Sequence, residues 1–149
     1  MALNAQSSAG TTIALSAALP ATYDDTGFAA LTFTGIGEVT NIGEFGKVYT
    51  LITHNPLATR KTEKLKGSYN NGSATLALAI DKDDAGQVLA TAAADSDAAY
   101  SVEVTYQDGS IDYFTALVMS FTTNVAGVDD ILSGSINIEL DNDIVPVAA

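Results

Sequence analysis

No cysteine occurs among the 149 residues, which removes disulfides, thiolate metal sites and cysteine nucleophiles together. Bases are scarce too. Six Lys and Arg against 18 Asp and Glu leave a net charge of −12, which speaks against a surface for wrapping nucleic acid. There is one histidine, His54, and no G-x-S-x-G motif to turn a serine into a nucleophile. A lone histidine after a strand reads as a surface or capping residue rather than a catalytic base. No segment approaches the ~20 apolar residues of a membrane-spanning helix. The opening MALNAQSSAG lacks the basic region and apolar run of a secretory signal. The expectation is a chain made in a cytoplasm that is no enzyme, needs no cofactor or metal and does not insert into a membrane.

What the chain does have is strand pattern. Apolar residues make up 47%, enough for one globular domain spanning residues 1–149. The organising stretch is 99–125, where Val102, Val104 and Tyr106 alternate with Ser101, Glu103 and Thr105. That period of two marks a half-buried strand. Asp108-Gly109 supplies hairpin-turn chemistry, and a long second run follows from Ile111 to Val125. Its middle, Phe114 to Val118, is apolar on both faces and so expects cover on both sides, with Phe114 in the core. Beyond Val118, Ser120, Thr122 and Asn124 face away from Met119, Phe121 and Thr123. Ile131–Leu140 repeats the pattern, with Ser133, Ser135, Asn137 and Glu139 opposite Leu132, Ile136, Ile138 and Leu140.

Elsewhere, residues 1–9 read as a loose arm and 10–16 as a short strand. Residues 17–37 form an irregular connection that leaves room for a short strand at 30–34. Further strands are expected at 37–42, 47–53 and 73–80, and 141–149 is a tail. Asp81–Ala94 predicts one helix, capped by Asp81 or Asp83. Ala85, Val88, Leu89 and Ala92 share its apolar face, which makes Val88 and Leu89 candidate core residues. Gly86 within that helix implies close packing, since Gly costs about 1 kcal/mol against Ala there. Asp81–Ala92 faintly echoes a calcium loop but has Ala at the fifth and twelfth positions, so a helix cap is the better reading. Many strands plus one helix give a mainly β fold, a sandwich or split barrel with a flanking α-helix.

His54-Asn55-Pro56 ends a strand, and 54–72 reads as a long polar loop that holds the charge anomaly. Arg60, Lys61, Lys64 and Lys66 lie within seven residues beside a single acid, Glu63, leaving two bases and 17 acids for the rest of the chain. A long loop in a compact domain is usually functional, which makes those four cations candidates for a contact.

From about Lys66 to Leu140, the order of elements resembles the major tail tube protein of long-tailed, lambda-like bacteriophages. The resemblance rests on the 73–80 strand, the helix with Asp84, Gly86-Gln87 and Leu89, and the Tyr100–Tyr106 strand. It continues through Asp108-Gly109, the long strand bearing Phe114 and Ser120, and the closing 131–140 strand, with Gly10-Thr11-Thr12 near the start. It implies hexameric rings, stacked into a tube, in which strands of every subunit join one continuous inner barrel around genome DNA. The polar faces (Ser120, Thr122, Asn124; Ser133, Ser135, Asn137, Glu139) would line the lumen. Arg60, Lys61, Lys64 and Lys66 would form an inter-ring contact loop. Partners would be the chain itself, the tape measure, tail tip and terminator proteins, and DNA that passes without specific binding. The place would be the virion tail, assembled in the bacterial host cytoplasm. Some relatives carry an added immunoglobulin-like domain, for which this chain leaves no room. The alternatives are another phage structural β-protein, such as a head–tail connector or decoration protein, or a small acidic ligand-binding β-barrel.

Overall fold

The computed structural model describes residues 5–149. In chain order it contains β1 (Thr12–Ser16), α1 (Asp25–Ala29), β2 (Thr34–Gly35), β3 (Val39–Asn41), β4 (Val48–His54) and β5 (Glu63–Asn70). There follow β6 (Ser73–Ala79), α2 (Ala85–Ala94), β7 (Tyr100–Thr105), β8 (Ile111–Asn124), β9 (Ser133–Leu140) and β10 (Val145–Val147). Eight strands make one antiparallel sheet in the order β2-β1-β7-β8-β9-β6-β3, with β10 added to β8, while β4 and β5 pair only with each other. The fold is mainly β, a curled half-barrel with a flanking helix, as the strand count implied.

Alternation decides the core. Leu76 and Leu78 of β6, Val102 and Val104 of β7, Phe114, Ala116 and Val118 of β8, and Ile136, Ile138 and Leu140 of β9 all project to one side and are buried. Burying each large side chain contributes about 1.5–3 kcal/mol. On β8 the inward positions are even-numbered up to Val118. The register then slips by one residue, so that Val118 faces Ile138 but Phe121 faces Ile136. This β-bulge at Met119 hands the inward role to Phe121 and leaves Ser120, Thr122 and Asn124 on the other side.

The first half of β8 is covered on both faces. Phe28, on α1, stacks on Tyr113 at 5.1 Å, and Phe33 approaches the same ring at 5.9 Å. The Ser101 hydroxyl donates to the Ala18 carbonyl at 2.7 Å. The connection after β1 therefore folds over the outer side of β7 and β8 and buries Ser101 and Thr115, while Phe114 is buried in the core on the other side. Of the short strand expected at 30–34 only Thr34 is strand, in β2, and α1 precedes it at Asp25–Ala29.

Helix α2 starts later than expected, and its cap is Asp84 rather than Asp81 or Asp83. The Asp84 carboxylate accepts from the backbone N–H of Gln87 and of Gly37, each at 3.0 Å. Its buried face is Gly86, Gln87, Ala90 and Ala93, not Ala85, Val88, Leu89 and Ala92. Val88 is 55% exposed, so the core role expected for it is corrected, and Leu89 is half-buried against the core. The reason is distance: a Cβ on Gly86 would lie 2.1 Å from the Gly35 carbonyl oxygen, so at that position the helix meets β2 too closely for any side chain. Gln87, 3% exposed, satisfies its whole amide there. Its nitrogen donates to the carbonyls of Gly37 and Ala79, and its oxygen accepts from the Asp81 N–H.

Two boundaries differ further. The expected 54–72 loop is mostly strand, because residues 63–70 pair with β4 and leave only residues 55–62 as a turn. The tail is not free either: Val145 and Val147 of β10 pair with Tyr113 and Ile111. Of the expected 1–9 arm, residues 1–4 lie outside the described residues; residues 5–9 are irregular, and Gln6 accepts from the Asp108 N–H at 3.0 Å.

Candidate assembly surfaces

Three surfaces remain after the core is filled. The first is the bare side of the sheet beyond the cover of α1. Register places Ser120 beside Asn137, Thr122 beside Ser135 and Asn124 beside Ser133, while Glu139 stands between Leu117 and Ser73. The seven polar residues singled out in the sequence therefore share one face, together with Ser73 and Thr75 of β6. All seven are exposed or half-buried. Glu139 is the only charged side chain that β6, β9 and the second half of β8 place there; these strands carry no Lys or Arg. At the end of this face the β8–β9 turn exposes Val125, Val128 and Ile131.

The second surface is the β4–β5 hairpin, an arm outside the main sheet. Every residue of β4 is exposed, and all of β5 except Gly67. An isolated two-stranded hairpin is marginal in water by itself. Its root is fastened: the Tyr69 hydroxyl donates to Asp143, Lys47 pairs with the same carboxylate at 3.8 Å, and the Lys47 ammonium lies 4.5 Å from the Tyr69 ring centroid. Farther out, Lys66 sits 4.0 Å from the centroid of Tyr49. The four singled-out cations all fall on this arm, Arg60 and Lys61 in its tip and Lys64 and Lys66 on β5. The single ion pair among the described residues is Lys47–Asp143, so none of the four pairs with a described carboxylate. Sequence reasoning missed the arm's apolar content: Leu51 and Leu65 are each 62% exposed and Leu57 is 98% exposed. The available signal was Val48–Ile52, apolar on both faces of a strand with no remaining chain to cover it.

The third is an open groove of about 780 Å³ between residues 6–11 and 39–45. Val104 and Tyr106 line it from β7 and the turn after it, and Val39, Ile42 and Phe45 form the other wall. The Tyr106 hydroxyl donates to Asp112 at 2.5 Å, and burial, reinforced by that carboxylate, raises its pKa well above the usual value. His54 is exposed at the end of β4, opposite Glu63. No group of three His, Asp or Glu side chains that could hold a metal occurs among the described residues, and no described helix is long and apolar enough to cross a membrane.

No family model matches the sequence, and no curated protein does. Solved structures do. A chain of the anti-feeding prophage baseplate, six-fold symmetrised, superposes with a TM-score of 0.74 at 11% identity, over 99% of this chain and 98% of that one. A chain of the SPP1 tail tube gives 0.65 at 14%, over 93% of this chain and 77% of its own. This is the tail-tube fold. A third chain with the tail-tube fold, from the tail of a gene transfer agent refined with C6 symmetry, gives 0.69 at 14%, over 97% and 100%. At such identities the likeness is one of backbone path, carried by the curled sheet and its flanking helix.

Proposed function

We propose that this chain is the tail tube subunit of a phage-like particle, of the long-tailed, lambda-like kind: six copies close a ring, and rings stack into the channel through which genome DNA passes. The observation that carries the reading is the bare sheet face, continuous over three strands, polar, with one acid and no base. Turned to a lumen, Ser120, Thr122, Asn124, Ser133, Ser135, Asn137 and Glu139 offer a duplex no cation with which to release counterions. A wall repeated in every subunit must not hold its cargo, and Glu139 adds weak repulsion. The symmetry of the structures with the same fold supports six-fold closure. Arg60, Lys61, Lys64 and Lys66, none of them paired with a carboxylate among the described residues, serve as the contact between rings. Tape measure, tip and terminator proteins complete the assembly, which forms in the bacterial cytoplasm and resides in the virion tail.

Electron microscopy of the concentrated, purified protein tests this. Six-fold rings or hollow tubes with Glu139 on the inner wall are expected. A permanent monomer, or rings with this face on the outside, would refute the lumen assignment.

A further inference from the structure

The link that carries the chain from β5 into β6 holds its only Asn-Gly pair, Asn71-Gly72. Asparagine is thermolabile, and most so before glycine, which has no side chain to shield its backbone nitrogen. That nitrogen can attack the asparagine side-chain carbonyl. We propose that Asn71 is a deamidation site, that Asn70 holds it shut in the folded chain, and that local opening of this link sets its rate. An element fastened only at its root, as the β4–β5 arm is, belongs to the part of a fold that opens first.

The reaction needs only the chain and water. A bond forms between Gly72 N and Asn71 Cγ, the Cγ–Nδ2 bond breaks, and ammonia leaves with the proton that Gly72 N carried. Water then opens the cyclic imide to aspartate or isoaspartate. In the fold the attacking nitrogen is engaged elsewhere, because the Gly72 N–H donates to Asn70 Oδ1 at 2.8 Å. The Gly72 carbonyl accepts from the Leu140 N–H at 3.0 Å, and the Asn71 carbonyl from the Gly46 N–H at 3.2 Å. Ring closure has to break the first of these bonds and twist the peptide unit that the other two pin. The glycine is not exchangeable: its φ is +90°, and a Cβ there would lie 2.8 Å from the Gly46 carbonyl oxygen. The fold thus requires the labile half of the pair and guards it with a neighbour. Asn71 Oδ1 is the one buried side-chain nitrogen or oxygen among the described residues without a hydrogen-bond partner. An aspartate in its place puts charge on an oxygen that no donor meets, which is unfavourable. An isoaspartate adds a carbon to the main chain beneath the arm.

Peptide-mapping mass spectrometry reads the conversion at Asn71 in the full-length chain, kept dilute so that assembly plays no part, in mildly alkaline buffer. The folded wild type is expected to convert many-fold more slowly than the same chain in denaturant. Asn70→Ala should convert several-fold faster than wild type when folded, and at the wild-type rate when unfolded. Asn70→Asp keeps an acceptor for the Gly72 N–H and should stay close to the slow wild-type rate. Phe114→Ala weakens the whole domain with Asn70 in place. At a temperature where it remains folded, it too should stay close to the wild-type rate. Equal rates in folded and unfolded wild type, or no acceleration by Asn70→Ala, would overturn the proposal. So would an acceleration by Asn70→Asp or Phe114→Ala as large as that of Asn70→Ala.

Discussion

Two hairpins of similar length meet opposite fates in this molecule. In β7–β8, Val102, Val104, Phe114 and Ala116 are fully buried between α2 on one side and the α1 connection on the other. In β4–β5, Val48, Leu51, Ile52 and Leu65 are as apolar as their counterparts and stand in solvent. Local pattern is not what separates them, since both are strands with apolar residues on more than one face. The separation lies in who supplies the cover. The first hairpin is completed by its own chain, and the second finds no cover among the described residues.

The sharpest way to break the comparison is Phe114→Ala. Emptying a fully buried aromatic site costs about 3–5 kcal/mol, so the melting temperature should fall by roughly 10 °C or more for a domain of this size. A smaller shift would mean that the β7–β8 hairpin is no better packed than the arm. Gly86→Ala comes next. Helix propensity alone favours Ala by about 1 kcal/mol, but the added Cβ would meet the Gly35 carbonyl. Net destabilisation of about 1–3 kcal/mol by denaturant unfolding is expected from overpacking; a stabilised variant would show that α2 can lift off the sheet. The smallest effect on folding belongs to the arm. Ile52→Ser with Leu65→Ser should leave the dilute monomer within about 0.5 kcal/mol per site, as for other surface positions, while abolishing tubes in the microscope. A melting loss as large as that of Phe114→Ala would place the arm in the body's own core.

The same contrast explains what was legible in the residues. Segment 99–125 announced itself because alternation, the Asp108-Gly109 turn and a doubly apolar middle agree with one another. The seven polar residues of the bare face were found because a period of two tells sides apart, although the period alone does not reveal what each side looks at. Residues 63–70 were hidden because Lys64 and Lys66 make a strand resemble a solvated loop, and only pairing with β4 reveals it. Pro146 disguised β10, yet an edge strand tolerates a residue with no N–H to donate. On α2 the error had another source. Size pointed to Val88, whereas proximity to β2 selects Gly86 and Ala90, and proximity is a property of the packed pair that neither segment displays alone. The arm's exposed leucines stayed out of view because an apolar strand pattern predicts burial and does not show that the chain leaves it uncovered.

The extra residue at Met119 leaves the two halves of β8 out of phase. Before it, an odd position answers to the α1 connection and an even one to the core; after it, odd Phe121 turns to the core and the even positions face the bare side. One continuous strand can thus act as a structural rib at one end and as a polar wall at the other. The two ends are free to vary under separate rules, so the polar face can change without disturbing the rib that holds the subunit together.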